Sequence, residues 1–244
     1  MKNAVISGGG RGLGSAIAAA FDTAGITTTL LGRDLARLQE TASELNNANC
    51  LQLDVTHAEA VKAAFDEIGE IDILVNNAGI GPSSPFNRHS IEDWRNTFAV
   101  NVDGAFYCTQ AVIDGMLERD SGRVINIAST SALKGYAYVA GYVASKHALL
   151  GLTRALAIEY AGTGITFNAI CPGFAETDLL TDSVDNIVNK TSRSIEETRK
   201  MLASNNPQGR FIQPDEVAAT ALWLISDAAC SITGQAISIS GGEI

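Results

Sequence analysis

Asn3-Ala4-Val5-Ile6-Ser7-Gly8-Gly9-Gly10-Arg11-Gly12-Leu13-Gly14 and the alanine-rich run after it decide the fold. Residues 3 to 7 read as a short strand and the glycines as a turn, while Leu13, Ile17 and Phe21 recur at the spacing of one helix face. Strand, glycines and helix in that order can hold the diphosphate of a dinucleotide. The anion needs a tight turn, a backbone with no side chains in the way, and the unpaired N–H groups and positive end of a helix. Gly8, Gly12 and Gly14 can fill these roles. Their spacing, Gly-x-x-x-Gly-x-Gly, is not the commoner Gly-x-Gly-x-x-Gly, and by itself the stretch also fits a flexible glycine-rich turn.

Working outward, the same alternation of short strand and longer helix continues. Strand-like runs fall at 3 to 7, 27 to 31, 50 to 53, 71 to 75, 123 to 128, 164 to 170 and 236 to 240. Between them, Leu149, Leu152 and Leu156 keep helical spacing, and Ser90 with Asp93 resembles a capping box. The expected fold is α/β: a single doubly wound, Rossmann-type, seven-stranded parallel sheet with helices on both faces, in one domain over residues 1–244. Residues 178–210, rich in Asn, Ser and Thr with helix-like stretches and no strand, are expected to form a substrate loop or lid with few apolar anchors of its own.

Composition narrows the partners. A chain of 244 residues with 46% hydrophobic and 18% charged residues has ample material for a buried sheet. A net charge of −10 disfavours binding of nucleic acid, which relies on clustered Lys and Arg. Cys50, Cys108, Cys171 and Cys230 are widely spaced, and His57, His89 and His147 show no ligand spacing, so neither a metal site nor a disulfide framework is expected. No apolar run approaches the roughly 18 residues of a membrane span, and the opening goes straight into a strand with no signal-peptide layout. The expectation is a soluble, unprocessed, cytoplasmic protein without membrane contact.

The later motifs make the glycine turn specific. Asp54 follows the third strand, Asn76-Asn77-Ala78-Gly79 the fourth, and then come Asn101, Ser129, Tyr142-x-x-x-Lys146 and Pro172-Gly173-x-x-x-Thr177. In order and distance this series resembles the short-chain dehydrogenase/reductase family over essentially the whole chain, in wording most like bacterial 3-oxoacyl-thioester and polyketide ketoreductases. Ser7, where the family more often has Thr, and Ser240, where it often has Asp, are departures outside the chemistry. The resemblance implies an oxidoreductase with Asn101, Ser129, Tyr142 and Lys146 as its catalytic set. It implies a cofactor site of Gly8, Arg11, Gly12, Leu13, Gly14, Arg33, Asp54, Val55, Asn77, Ala78, Gly79, Tyr142, Lys146, Pro172, Gly173 and Thr177.

Elementary chemistry gives the pair its reason. Tyr142 and Lys146, four apart, lie on one helix face. A tyrosine that exchanges a proton near neutrality needs its pKa moved from about 10 towards 7, roughly 4 kcal/mol. One positive charge about 4 Å away at an effective dielectric of about 20 supplies that. By resemblance, Lys146 also holds the nicotinamide ribose and Asn101 anchors a water that relays protons. Plainer readings stand beside these: Asn101 satisfying backbone groups, Ser129 capping a turn, Asn76 to Gly79 forming an ordinary turn, and Asp54 opening a helix.

NADP(H) is the favoured cofactor and NAD(H) the alternative. The second strand ends at Gly32, where an NAD site usually places a carboxylate, and Arg33 and Arg11 could converge on a 2′-phosphate. A one-residue shift would instead make Asp34 the ribose acceptor, with Arg33, Arg37 and Glu40 on a solvated helix. The substrate is expected to be a small carbonyl or secondary alcohol, with a 3-oxoacyl thioester foremost. Hydroxysteroid, sugar and secondary-alcohol dehydrogenases share much of the wording, and a dinucleotide-binding regulatory protein is the non-enzyme alternative. Family members usually form tetramers through the helices carrying Asn101 and Tyr142, and Ala144, Ala148, Leu149 and Leu152 suit such an interface unless they all face the sheet.

Overall fold

A computed structural model describes residues 2–244; Met1, at the head of the strand-like opening, lies outside the described residues. The strands are β1 (Asn3–Ser7), β2 (Thr27–Gly32), β3 (Ala48–Gln52), β4 (Ile73–Asn76), β5 (Gly122–Ile127), β6 (Ile165–Pro172) and β7 (Ala236–Ile239). They form one sheet in the order β3-β2-β1-β4-β5-β6-β7, each neighbouring pair parallel. The chain runs outward from β1 in one direction and then returns to its other side, which opens a crevice at the carboxyl ends of β1 and β4. Each strand expected from sequence is present, β1 with the expected ends and the other six with shifted ones. β4 begins at Ile73, and just before it the Asp72 carboxylate accepts the Asn3 N–H at 2.8 Å.

Alternate residues of the central strands feed two cores. Ala4, Ile6, Ile73, Val75, Ile125 and Ile127 face one way, onto α1 (Gly12–Thr23) and α9 (Pro214–Leu224) through Ile17, Phe21, Val217 and Ala221. Val5, Leu74 and Val124 face the other way, onto α3 (Ala58–Ile68) and α5 (Gly104–Glu118) through Val61, Phe65, Cys108 and Met116. The run Ile-Leu-Val in β4 is therefore continuous rather than alternating, as a strand covered on both faces requires. Three further helices are α2 (Leu35–Ser43), α4 (Ile91–Phe98) and α6 (Ala140–Glu159). Ser90 caps α4 by accepting the Asp93 N–H at 2.9 Å, the first half of the expected box.

Residues 178 to 203 fold as α7 (Asp178–Lys190) and α8 (Ile195–Ala203). The expectation of few apolar anchors is corrected here. Leu180 and Val184 of α7 meet Leu202 of α8 and Phe211 in a small buried cluster, flanked by Phe174, Ile187 and Met201. Composition hid this because the apolar residues are few, but their helical spacing puts them on one side. Among the described residues no helix is long and apolar enough to cross a membrane.

Candidate active site

The glycine turn sits where the crevice opens. Gly8 has φ +66°, and a side chain there would run into Asn77 and Ala78; a side chain on Gly14 would strike the Gly8 carbonyl. Arg11 caps α1 with extended backbone and gives it no side-chain hydrogen bond, and no acidic residue occupies its first turn. The start of α1 is thus left as backbone donors without a competing carboxylate on the helix, which fits the diphosphate of a dinucleotide. Leu13 packs against the adjoining core, and Gly12 touches the Thr177 methyl, to which a side chain at 12 would come within 3.3 Å.

The turn after β4 braces this cradle. The buried Ser7 hydroxyl accepts the N–H groups of Asn77 at 3.0 Å and Ala78 at 3.1 Å, and the Asn77 amide donates to the carbonyls of Ser7 and Gly8, each at 3.0 Å. Asn76 points away into the core, donating to Asn126 and Thr109, while Asn126 donates in turn to Thr153. Asn76–Gly79 is therefore a turn with a specific mechanical duty.

Across the crevice, the first turns of α6 carry Tyr142, partly exposed, and Lys146, buried at 3% exposure. Lys146 Nζ donates to the Ile127 carbonyl at 2.7 Å and lies 5.6 Å from the centre of the Tyr142 ring. Gly79 faces Asn101 and Lys146, and Gly81 lies against the Tyr142 ring. Ser129, two residues past β5, does the plain duty and the special one together. Its hydroxyl accepts the Ser131 N–H at 3.0 Å, and its side chain lies near enough to Tyr142 to favour the ionised phenol. Asn101 lies in a π-helical turn, Ala99–Asp103, between α4 and α5, a distortion common at functional sites. Its carbonyl oxygen accepts the Ile80 N–H at 2.8 Å, and its amide donates to the Ile80 carbonyl and to Ser145, both at 2.9 Å. The side chain thus satisfies backbone, as its plainer reading had it.

The pair's electrostatics differ from the sequence argument, which had Lys146 drawing the phenol down. Burial raises the Tyr142 pKa above its ordinary value, against the lowering effect of the neighbouring Ser129 side chain. Burial also lowers Lys146 to about 8. The low-polarity setting that disfavours phenolate disfavours ammonium too, and Nζ is committed to the Ile127 carbonyl.

At the adenine end, Gly32 is the last residue of β2, as read, and a side chain there would make only ordinary contact with Leu38. Asp34 caps α2 by accepting the Arg37 N–H at 3.2 Å. Asp54 does not open a helix, since α3 is capped by His57. Its carboxylate accepts the Thr56 N–H at 3.0 Å and hydroxyl at 2.8 Å. Burial raises the Asp54 pKa, but the Thr56 bonds and then the nearby Arg33 and His57 outweigh it, so the group lies below its ordinary value. Arg33 therefore flanks Asp54, while the guanidinium brought beside Arg11 is that of Arg37. Val55 is buried against Gly104. Pro172 ends β6, the Gly173 N–H donates to the Ile239 carbonyl at 2.9 Å, and Thr177 caps α7 with no hydrogen bond from its side chain to the helix.

Sequence reasoning missed several neighbours. Gly81 lay just outside the quoted motif. Cys171 is fully buried, and its thiol is pushed up to about 11 by burial, so it stays protonated near Tyr142 and Lys146. Tyr136 donates to the nearly buried Glu243 carboxylate at 2.6 Å and meets Thr130 at 2.6 Å, and Lys134 joins Glu243 at 2.8 Å. No local pattern signals this group, because Glu243 is 107 residues from Tyr136. Among the described residues, no three His, Cys, Asp or Glu side chains gather as a metal site would need.

Comparison with known proteins agrees with this geometry. The pattern of the family described as short chain dehydrogenase matches residues 2–187. An acetoacetyl-CoA reductase of Shinella zoogloeoides is 36% identical, covering 98% of this chain and 97% of its own. A 3-oxoacyl-[acyl-carrier-protein] reductase of Aquifex aeolicus is 35% identical over 99% of this chain and 96% of its own. A crystal structure of a variant actinorhodin polyketide ketoreductase with NADPH superposes with a TM-score of 0.95 at 34% identity, covering 99% of this chain and 97% of that one.

Proposed function

The chain belongs to the short-chain dehydrogenase family, and from that premise we propose that it reduces a 3-oxoacyl thioester or a related ketone with NADPH. The observation that carries this reading is the convergence of Tyr142, Lys146, Ser129 and Gly79 at the carboxyl ends of β4 and β5, beside the braced glycine turn. The related ketoacyl and acetoacetyl-CoA reductases support the substrate class, and the NADPH-bound neighbour supports the cofactor.

Within this reading the residues divide the work. Gly8, Gly12, Leu13 and Gly14 hold the diphosphate against α1. Asp54, Val55, Asn77 and Ala78 border the adenosine, Arg11 and Arg33 meet the 2′-phosphate, and Pro172, Gly173 and Thr177 border the nicotinamide end. When bound, the nicotinamide supplies the hydride and, once oxidised, a positive charge beside the phenol. Tyr142 gives its proton to the carbonyl oxygen, and a phenol kept protonated by burial suits that direction. Ser129 orients the phenol and the carbonyl together. Lys146 holds the ribose and steadies the phenolate, while Asn101 fixes the Ile80 backbone and the water through which Tyr142 is reprotonated.

We propose further that residues 1–244 act as one domain with 178–210 as its lid, and that the chain works in the cytoplasm as a homotetramer joined through α5 and α6. Phe106 and Ile158 remain exposed on those helices, while Leu149 is buried. A steady-state panel of acetoacetyl thioesters, cyclic ketones and secondary alcohols with each cofactor tests the main reading. Highest kcat/KM for a thioester with NADPH is expected, and turnover confined to alcohols with NAD would overturn it.

A further inference from the structure

The start of α7 meets the phosphate turn at two adjacent residues. Thr177 puts its methyl over Gly12, and Asp178 puts one carboxylate oxygen, Oδ2, 2.7 Å from Arg11 Nη1 and 3.4 Å from Arg37 Nη1. Arg37 is aimed there by its own helix, because Asp34 accepts its backbone N–H and lies 3.4 Å from its Nε. Two guanidiniums from separate elements thus converge on a single anionic oxygen, an arrangement that also fits a phosphate monoester, with more oxygens and more charge. The far half of α7 is tied as well: Asn186 donates to the Ser83 hydroxyl and Lys190 to the Ser83 carbonyl. The helix is fastened at one end to the cofactor turn and at the other to the loop after β4.

We propose that Asp178 is an internal competitor for the cofactor's 2′-phosphate, contending with it for Arg11 and Arg37. The inference rests on the NADP(H) reading above. It adds Arg37 as a specificity-determining residue and makes the seating of α7 sensitive to whether the bound cofactor carries that phosphate. The side chains of Arg11, Arg37 and Asp178 are each about half exposed, at 56%, 51% and 52%. Solvent therefore weakens these ion pairs to a few-fold each in an equilibrium constant, small enough for a phosphate to displace the carboxylate. NADH, lacking the phosphate, has no reason to disturb them.

The test is direct binding to the full chain, by calorimetry with adenosine 2′,5′-bisphosphate and adenosine 5′-monophosphate and by fluorescence with NADPH and NADH. Asp178→Asn should tighten the bisphosphate and NADPH by about three- to tenfold and leave the monophosphate and NADH within about twofold. Arg37→Ala should weaken only the two 2′-phosphorylated ligands. Asp182→Asn, one turn along the same exposed face, controls for loss of a negative charge as such and should change nothing. Equal tightening of NADPH and NADH, no change in either, or the same gain from Asp182→Asn would overturn the proposal. The wild-type ratio of NADPH to NADH affinity tests the cofactor reading separately, since the mutant-to-wild-type ratios do not depend on which cofactor is preferred.

Discussion

The glycine turn and the α7–α8 segment border the same crevice, yet one is written in contiguous residues and the other is not. The turn is imposed by local necessity: Gly8 must take a left-handed conformation, and Gly14 has no room for a side chain. The α7–α8 segment is held by relations across the chain. Asp178 meets Arg11 at a separation of 167 residues, and Leu180 and Val184 find Leu202 and Phe211 only once both helices have formed. A cofactor cradle whose glycines are contiguous and which the turn after β4 braces thus faces a segment with a small core of its own. The chemistry should depend on the first, and selectivity and motion on the second.

The largest expected effect breaks the chemistry while sparing the cradle. Tyr142→Phe removes the transferable proton and keeps the ring that Gly81 contacts, so turnover should fall by about 100- to 10,000-fold while NADPH affinity, read by fluorescence, persists. Near-normal turnover in this variant would remove Tyr142 from the mechanism.

Next comes the buried charge beside it. Lys146 titrates near 8 in the folded chain against 10.5 when exposed, so between those values the unfolded chain binds more protons and stability rises with pH. The full penalty applies below pH 8 and is relieved towards 10.5. Relative to Lys146→Met, the wild type should gain up to about 3 kcal/mol across that window, measured by denaturant unfolding at several pH values. A constant difference between the two proteins would show that Lys146 is not held in this way. Turnover should decline over the same range as the ammonium is lost.

At the adenine end, Arg33→Ala should weaken NADPH by about 10- to 100-fold with NADH little changed, and Gly32→Asp, for which Leu38 leaves room, should shift preference towards NADH. Equal losses for both cofactors would place Arg33 on the adenine rather than the phosphate. The smallest effect sharpens the contrast itself. Val184→Ala removes two buried methyl groups, about 1.5 kcal/mol, and hydrogen exchange should quicken by about tenfold from 178 to 203 while β4 and β5 are unchanged. Quickening everywhere would show that the segment is not a separate unit.

Much of this was legible in sequence for stated physical reasons. The parallel sheet followed from apolar runs short enough to be strands, and Tyr142 and Lys146 from the family resemblance, helical spacing putting them on one face. What stayed hidden depended on distance or burial. Arg37 read as part of a solvated helix, and only the fold brings it beside Arg11 and Asp178. Glu243 joins Lys134 and Tyr136 from the chain's last turn. The sign of the Tyr142 shift is set by the burial of the phenol itself, and the same burial lowers Lys146, which no spacing reveals.

Hydride delivery from NADPH to a carbonyl carbon at Tyr142 can be followed by isotope transfer. NADPH deuterated at the transferable position of the nicotinamide would be turned over with an acetoacetyl thioester, and the product analysed by mass spectrometry and NMR. Deuterium should appear on the new carbinol carbon and be lost from the cofactor in equal amounts. Firm NADPH binding with no deuterium in any product of the ketone panel would contradict it and favour a dinucleotide-binding protein without turnover.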